Sequence, residues 1–296
     1  QVVDAAGLTD IEGNPIAAVE DVESALKEET SFLTEELDSW IYGILDDGWS
    51  RGSRRVQAEG EKGLSTFLHE RFTGLGASLS HVLQALDEFR NKWGDLETPW
   101  MWQEDKVRYL AFCIRRQLFP IHIAANKADS AKGTPWDAIE ANGMVQPTMA
   151  DMELALRRAD SAGMISYSSG DETFKIVDES KLNPAQLAAL SGMKQKLADA
   201  KNTGVSQLIT KVLFEALDHV VVYPVADENG WKDGDGKILP DAFVVPNGIE
   251  AKALAYKVHS DLGDGFIKAV DGRSRRVVGA DYECYDNSVI KIHAKT

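Results

Sequence analysis

The chain has 296 residues, 44% of them hydrophobic and 27% charged, and its formal net charge is −15 at pH 7. This length suffices for two domains with hydrophobic cores, and no apolar run approaches the length of a membrane span. The acidic balance argues against non-specific nucleic-acid binding by the whole surface, although it leaves room for a local basic face. We therefore expect neither a membrane nor DNA among the partners of this chain.

Cysteine and histidine usage indicates no metal site and no disulfide framework. Cys113 and Cys284 are far apart in the sequence and lack partners at zinc-ligand spacing. We expect each to be a small core residue in a protein of the reducing cytoplasm. The six histidines are scattered without ligand spacing, so we predict no metal ligand among them and name no catalytic residue.

The first residues read as a strand that leaves into a loop. Because the chain begins abruptly at Gln1, inside this strand, we expect that the front of a longer protein precedes it. Asp4-Ala5-Ala6-Gly7 matches the DxxG pattern that holds a magnesium-bound water beneath a γ-phosphate. A plain strand end explains the same residues, and we favour that interpretation.

Helical periodicity dominates the next part of the chain, over residues 21–49, 60–73 and 79–93. The block 21–100 is therefore predicted to be a helical insertion. Its tryptophans fit core and junction packing better than a base-stacking platform. Residues 60–66 superficially resemble a phosphate-binding loop, but they lack the GxxxxGK(S/T) order and follow no strand, so we reject that interpretation.

A predicted helix over residues 102–117 leads directly to an apolar run, residues 119–125, which ends in Asn126-Lys127-Ala128-Asp129. A continuous apolar run of this length, preceded by a helical pattern, suits a strand buried on both faces of a parallel sheet. Ligands of such sheets bind outside the carboxyl ends of the strands, where these four residues would lie. An Asn/Asp turn after a strand is the structural alternative.

The Asn-Lys-x-Asp pattern at that edge suits guanine. Guanine presents two donors on one edge, N1–H and the 2-amino group, and an ionised Asp129 accepts both in a fork. Adenine lacks the 2-amino group and would leave the carboxylate unpaired. The stem of Lys127 would lie over the base plane with its ammonium reaching the ribose. Asn126 would use its amide on the other edge of the base and on neighbouring loops.

Further elements follow this strand. Thr134-Pro135 would begin a short helix that stops near Asn142-Gly143. A strand over residues 144–148 would come next, with a loop at residues 149–151. The remaining helical segments of this part are predicted at residues 151–162, 184–201 and 205–218.

The last 78 or so residues change to a strand-rich pattern. Two strands, a helix opening at Gly248 and then more strands give the β-grasp arrangement of ubiquitin-like domains. The strands are predicted at residues 219–225, 242–246 and 266–270, near Val277 and at 288–293. A local basic set lies here, which makes phosphate contact to RNA possible despite the net acidity, with a solvated hairpin turn as the alternative. The set consists of Lys268, Arg273, Arg275 and Arg276.

Three stretches carry a family resemblance: IAANKAD, DSWIYGIL, and the closing VVYPV…LPDAF…AYKVHSDLGDGFIKAVD. Together they resemble the YchF-type branch of the Obg-related GTPases in its archaeal form. The resemblance implies an α/β fold class, with a partial P-loop GTPase (Obg-type G domain) that carries a helical insertion. A β-grasp (ubiquitin-like) TGS domain would follow. The implied domains are 1–20 with 101–165 (G domain), 21–100 (insertion), 166–218 (helical connecting region) and 219–296 (TGS domain).

The family implies GTP hydrolysis and association with the ribosome. Asn126, Lys127 and Asp129 match its base-recognition residues, with GTP or GDP as ligand. In guanine-nucleotide folds the loop after the next strand, often Ser-Ala, places a backbone N–H on guanine O6. Met149 stands in the Ser position and Ala150 is retained, and a simple strand-to-helix turn remains the alternative. Bacterial and eukaryotic relatives alter the tetrad and prefer ATP, whereas Asn-Lys-Ala-Asp predicts guanine.

The same resemblance places the P-loop, the switch regions and the true DxxG upstream of Gln1. Mg²⁺ is then expected only with that missing part, and this chain alone is expected to be inactive, because nothing in it cradles a triphosphate. The second hypothesis is a non-catalytic adaptor that binds RNA or the ribosome through its TGS domain.

Overall fold

A computed structural model describes residues 1–9, 12, 14, 15, 22–131, 144–239 and 241–295 of the chain. These residues form two compact units, Gln1–Leu208 and Ile209–Thr296. The division falls before residue 219, where the sequence placed the start of the last domain. The helix predicted to begin at Thr134-Pro135 and to stop near Asn142-Gly143 lies outside the described residues.

Helices make up most of the first unit. Those of the expected helical block match the sequence periodicity closely, although the first continues to Gly52 rather than ending near residue 49. In chain order the helices of this unit are α1 (Val22–Gly52), α2 (Arg55–Glu59), α3 (Glu61–Phe72), α4 (Leu79–Trp93), α5 (Glu104–Leu118), α6 (Ala150–Ser161), α7 (Pro184–Ala200) and α8 (Val205–Thr210). Among the described residues no helix is long and apolar enough to cross a bilayer.

Helices α1, α3, α4 and α5 pack around one apolar cluster. Its fully buried members include Leu45, Leu68, Leu86 and Leu110, which lie on the inner faces of these amphipathic helices. Trp102 stacks on the ring of Phe89 at 4.5 Å and packs 5.6 Å from Trp49. Trp49 is therefore a core residue and the partly buried Trp102 packs against the same core, in line with the core and junction packing predicted from the sequence.

A parallel sheet of three strands forms the other layer of the described part of this unit. Its order is β1 (Val2–Asp4), β2 (His122–Asn126) and β3 (Met144–Pro147). Strand β2 is central, with Ala125 opposite Val3 on one side and Pro147 on the other. Ile123 and Ala125 on one face and Ala124 on the other are all buried, so the predicted strand with two buried faces is confirmed.

The strand begins three residues later than the apolar run. Phe119 ends helix α5, where its N–H donates to the carbonyl of Arg115, and its ring packs 5.9 Å from Trp40. Pro120 follows, and proline has no N–H to donate to a sheet ladder. The first apolar residues therefore belong to the helix-to-strand turn.

Two short strands lie between α6 and α7. Strands β4 (Ile165–Ser166) and β5 (Lys175–Ile176) pair antiparallel. The helix predicted over residues 205–218 is also interrupted, because α8 gives way to a π-helical segment, Lys211–Ala216.

The second unit is built on a mixed sheet whose described strands lie in the order β10 (Arg276–Val278), β9 (Phe266–Asp271), β12 (Ser288–Ala294), β6 (His219–Val225) and β7 (Phe243–Pro246). Strands β6 and β12 pair parallel at its centre, and the outer pairs are antiparallel. The expected sequence of hairpin, helix and further strands is confirmed at the level of these elements. They are β6 (His219–Val225), β7 (Phe243–Pro246), β8 (Ile249–Glu250), α9 (Ala251–Val258), α10 (Ser260–Asp264), β9 (Phe266–Asp271), β10 (Arg276–Val278), β11 (Glu283–Cys284) and β12 (Ser288–Ala294).

The helix predicted to open at Gly248 instead begins at Ala251. Ile249 and Glu250 are extended because they pair with Glu283 and Cys284 in a small antiparallel ladder. Leu254 of α9 is fully buried against the sheet, and Cys284 is a buried core residue as predicted.

Candidate functional site

The turns that follow β2 and β3 meet at the carboxyl edge of the parallel sheet. The N–H of Ala128 donates to the carbonyl of Thr148 over 3.0 Å, and the N–H of Thr148 donates to the carbonyl of Ala125 over 2.9 Å. Parallel neighbours end at the same edge of a sheet, which is where ligands of α/β folds bind. The predicted residues Asn126–Asp129 and Met149–Ala150 therefore lie side by side.

Asn126 connects the two turns through its side chain. Its Oδ1 accepts hydrogen bonds from the N–H of Ala150 at 3.0 Å and from the hydroxyl of Thr148 at 3.4 Å. The N–H of Met149 donates to the carbonyl of Thr203 at 2.8 Å. The backbone N–H groups of Met149 and Ala150, either of which could meet a base carbonyl, thus already have acceptors in the protein. A ligand at this place would share these N–H groups with the present acceptors or displace them.

Lys127 adopts a left-handed backbone conformation, with φ of 60°. Its ammonium donates to Oδ2 of Asp4 at 2.8 Å, so the group expected to reach a ribose lies on the end of β1. This conformation costs a residue with a Cβ roughly 1–2 kcal/mol, which the ion pair helps to offset.

Asp4 organises the end of β1 and the turn after it. Its carboxylate also accepts from the N–H groups of Ala6 and Leu8 and from the hydroxyl of Thr9. Burial alone would raise the pKa of this carboxyl, but the bonds from Lys127, Thr9 and the backbone hold its pKa below the usual value. These contacts support the strand-end interpretation of the DxxG pattern.

Asp129 borders a cleft of about 530 Å³ that lies wholly within the first unit. Its side chain is 23% exposed, and Oδ2 accepts a hydrogen bond from the ammonium of Lys196 at 2.6 Å. Among the described residues Oδ1 has no hydrogen-bond partner. The opposite wall comes from α7 and the segment after it, through Lys196, Asn202 and Gln207.

These wall residues were missed by the sequence reasoning. They follow Asp129 by more than sixty residues, and no local pattern relates them to it. Gln207 contributes a buried Oε1 that has no hydrogen-bond partner in the part of the chain that the structure describes.

The segment that carries Asn202 is fastened to the start of α6. The hydroxyls of Thr203 and Tyr167 both donate to Oε2 of Glu153, at 2.6 and 2.8 Å, and Nε of Arg157 donates to Oε1 at 2.7 Å. Burial would raise the pKa of Glu153, but these donors lower it. Burial and the neighbouring Glu153 together raise the pKa of Tyr167 to about 12. An ionised, fully bonded carboxylate thus fixes the wall.

Gly204 lets this segment approach β3 closely. Its φ is 78°, and a Cβ there would lie 1.8 Å from the carbonyl oxygen of Pro147. No residue with a side chain fits without displacing the end of β3.

The basic residues singled out in the sequence belong to the second unit. Nε of Arg273 donates to the carbonyl of Asn287 at 2.6 Å, and its guanidinium lies 5.1 Å from the centre of the Trp231 ring. The other three, Lys268, Arg275 and Arg276, are exposed. Among the described residues no group of three or more His, Cys, Asp or Glu side chains is arranged to hold a metal ion.

We expect Gly204→Ala to lower the free energy of unfolding by about 2–4 kcal/mol, since the new Cβ adds a clash to the left-handed strain. Gly163→Ala is the matched control, because Gly163 also has a positive φ, of 67°, but has open space around its Cβ position. It should cost only about 1 kcal/mol. Urea denaturation measures both, and equal losses would contradict the close approach.

We also expect Lys127→Gly to be more stable than Lys127→Ala by about 1 kcal/mol. Both variants lose the ion pair with Asp4, but only glycine adopts the left-handed conformation without strain. Thermal unfolding of the two variants side by side tests this order, and a more stable alanine variant would show that φ is negative in solution.

Comparison with known proteins agrees with this architecture. A family model described as "Obg-like GTPase YGR210-like, G4 motif-containing domain" matches residues 124–227. A GTP-binding protein of the archaeon Methanocaldococcus jannaschii, MJ1332, is 41% identical over 297 residues, a match that covers 98% of this chain and 71% of that protein.

Two solved structures are also similar. The crystal structure of a GTP-binding protein from Pyrococcus horikoshii has 35% sequence identity and a TM-score of 0.64, covering 99% of this chain and 77% of that one. The Schizosaccharomyces pombe YchF GTPase, at 15% identity and a TM-score of 0.50 over 99% of this chain and 71% of its own, is similar in fold. The extent of the match to the M. jannaschii protein establishes that the chain belongs to the YchF/Obg-like GTPase family.

Proposed function

We propose that this chain carries the base-binding part of a guanine-nucleotide site and that the full-length protein is a GTPase of the YchF type. The observation that carries the proposal is the carboxylate of Asp129, which borders a cleft at the carboxyl edge of the parallel sheet. The volume of the cleft, about 530 Å³, lies within the range of small-molecule sites.

Guanine matches the free hydrogen-bonding capacity of the cleft. A carboxylate accepts about four hydrogen bonds, and among the described residues Lys196 is the donor that contacts Asp129. N1–H and the 2-amino group of guanine are two parallel donors that can use the remaining acceptor positions of the Asp129 carboxylate. Gln207 lines the same cleft, and its buried Oε1 has no hydrogen-bond partner among the described residues. Adenine presents an acceptor at N1 and no 2-amino group, so it would offer the Asp129 carboxylate no donor from the base.

Lys127 and Asn126 complete the proposed site. The bond to Asp4 fixes the ammonium of Lys127, which leaves the methylene stem to cover the base plane. The Oδ1 of Asn126 is committed to Ala150, and its Nδ2 remains a donor for the base edge opposite Asp129. The backbone of Met149 and Ala150 would border this edge.

We assign the phosphates and Mg²⁺ to residues outside this sequence, because no GxxxxGK(S/T) motif occurs in it. A chain limited to these residues is expected to hydrolyse no GTP, since positioning and charge stabilisation of the phosphates carry phosphoryl transfer. The relatives extend beyond the matched region, as the chain spans 71% of one and 77% of another.

We propose a division of labour along the chain. Residues 1–20 and 101–165 belong to the G domain, 21–100 to its helical insertion and 166–218 to the connecting region. Residues 219–296 form a β-grasp TGS domain. The parallel central pair of β6 and β12, with an antiparallel strand on each side and helices α9 and α10 against the sheet, supports the last assignment.

A cytoplasmic location also remains a prediction. Burial raises the pKa of Cys113 to about 12 and that of Cys284 to about 11. Both are free thiols in the core, and such thiols suit a reducing compartment.

Asp129→Asn is expected to exchange base selectivity in the full-length protein. Asparagine presents one acceptor and one donor, which matches N1–H and the 2-oxo group of xanthine and mismatches the 2-amino group of guanine. GDP affinity should fall by about a hundredfold, and XDP should become the better ligand. Calorimetry with GDP, XDP and ADP measures this. Equal binding of GDP and ADP by the wild type would end the proposal.

A second function is proposed for the second unit, namely contact with ribosomal or other structured RNA. The exposed Lys268, Arg275 and Arg276 have no partner for their charged groups among the described residues, in a chain whose net charge is −15. Arg273 is partly committed to Asn287 and Trp231. This adaptor role is compatible with nucleotide binding by the first unit.

Changing Lys268, Arg275 and Arg276 together to Ala should weaken sedimentation with ribosomes about tenfold or more at moderate salt and reduce its salt dependence. Lys252→Ala with Lys257→Ala is the control, because both lysines are exposed on helix α9 of the same unit. Sedimentation that persists in the triple variant would remove this argument.

A further inference from the structure

The ion pair between Lys196 and Asp129 joins the base-recognition turn to a helix that sequence reasoning did not connect with it. Their donor and acceptor atoms are 2.6 Å apart, and both side chains border the same cleft. A role for this ion pair in base recognition rests on the proposed guanine site and adds one residue to it.

A carboxylate that must meet two donors of a base at once has to be held in one orientation. Asp129 lies in a turn after the left-handed Lys127, and its side chain can rotate about two bonds. If these rotations are already fixed in the free protein, binding of the base does not have to restrict them, and the entropy cost of binding is smaller. A donor that holds one carboxylate oxygen in place therefore increases both the affinity and the selectivity for the base.

The residues next to Asp129 in the site supply no such anchor. Ala128 and Ala150 have no side-chain donor, and Met149 has a thioether where a serine would offer a hydroxyl. The backbone N–H groups of these three residues donate to Thr148, Asn126 and Thr203. Lys196 is the donor to Asp129 that the described structure provides.

Lys196 comes from a firmly placed helix. Its neighbour Leu197 is fully buried in a cluster with Met149, Met152 and Leu156, and α7 leads into the segment fastened through Thr203 and Gly204. The lysine stem is half-exposed, but the helix sets where its ammonium can reach.

The bond from Lys196 leaves room for a base. It uses Oδ2, whereas Oδ1 accepts no hydrogen bond from the described residues, and each carboxylate oxygen has two acceptor positions. Guanine can therefore take both oxygens without displacing the ammonium. We infer that Lys196 is a positioning residue for guanine recognition, which orients the Asp129 carboxylate so that it accepts both donors of the base.

The test compares GDP with IDP in the full-length protein. Hypoxanthine keeps N1–H and lacks the 2-amino group, so the ratio of the two dissociation constants reports the second bond of the fork. In Lys196→Met we expect GDP to bind about fivefold more weakly and the preference for GDP over IDP to shrink. Lys196→Arg should restore both values, because a guanidinium also donates to a carboxylate.

Lys194→Met is the matched control, since Lys194 is exposed on the same helix and does not border the cleft. It removes the same charge and should leave both constants unchanged. The melting temperatures of all three variants should equal that of the wild type, because an exposed ion pair contributes little to stability.

Three results would overturn the inference while leaving the guanine site intact. Tighter GDP binding by Lys196→Met would show that the lysine competes with the base. Unchanged binding would show that it plays no part. An equal loss for GDP and IDP would indicate a general charge effect and not an orienting one. A wild type that does not prefer GDP to ADP would instead overturn the proposed function, and this inference with it.

Discussion

The parallel pairing of β2 with both of its neighbours is the constraint on which the rest of the first unit depends. It sets Val3 and Pro147 on either side of Ala125, so the residues that follow the three strands meet at one edge. Asp4 then reaches Lys127, and Asn126 reaches Ala150. A slip of one residue would turn the alternate side chains of β2 to the opposite faces and separate these partners, so the buried Ile123 and Ala125 specify the site as well as the core.

A second constraint closes the cleft from the side of the helices. Glu153 is buried, and its two oxygens accept bonds from Thr203, Tyr167 and Arg157. Leaving a buried carboxylate unpaired costs several kcal/mol, so these donors keep the Thr203 segment in place. Gly204 then permits contact with β3 that a Cβ would prevent. The segment that carries Asn202 is therefore held in place by these contacts, although no strand or helix runs through Thr203 or Gly204.

The sequence predicted those elements whose cause is local. Helical periodicity located α3, α4 and α7, and the apolar run located β2. Helix α7 begins at Pro184, as predicted, after a capping box formed by Asn183 and Gln186. Element ends were missed where a partner distant in sequence decides them. Ile249 and Glu250 are strand residues because Glu283 and Cys284 pair with them.

The candidate site divides in the same way. Asn126, Lys127 and Asp129 could be proposed from the sequence because they follow a strand directly. The ammonium of Lys127 was expected at a ribose and lies on Asp4 instead, since the sequence shows no distance between β1 and β2. Lys196 was missed altogether, because a charge pair between a turn and a later helix leaves no periodic or local signal. Such pairs are visible only once the fold has brought both elements to one cleft.

The charges at this edge bear on what the base site can do. Lys127 pairs with Asp4 and Lys196 with Asp129, so the two cations are matched by two carboxylates, and Asp199 adds a further negative charge to the cleft. A neutral base can enter such a site without a large change in electrostatic energy, whereas phosphates gain nothing from it. Because each lysine is already paired, the proposed base site would select its ligand through directed hydrogen bonds rather than through net charge. Tight binding of a nucleotide by the proposed site would therefore depend on a separate set of donors for its phosphates, and selectivity for guanine would be set where that attraction is absent.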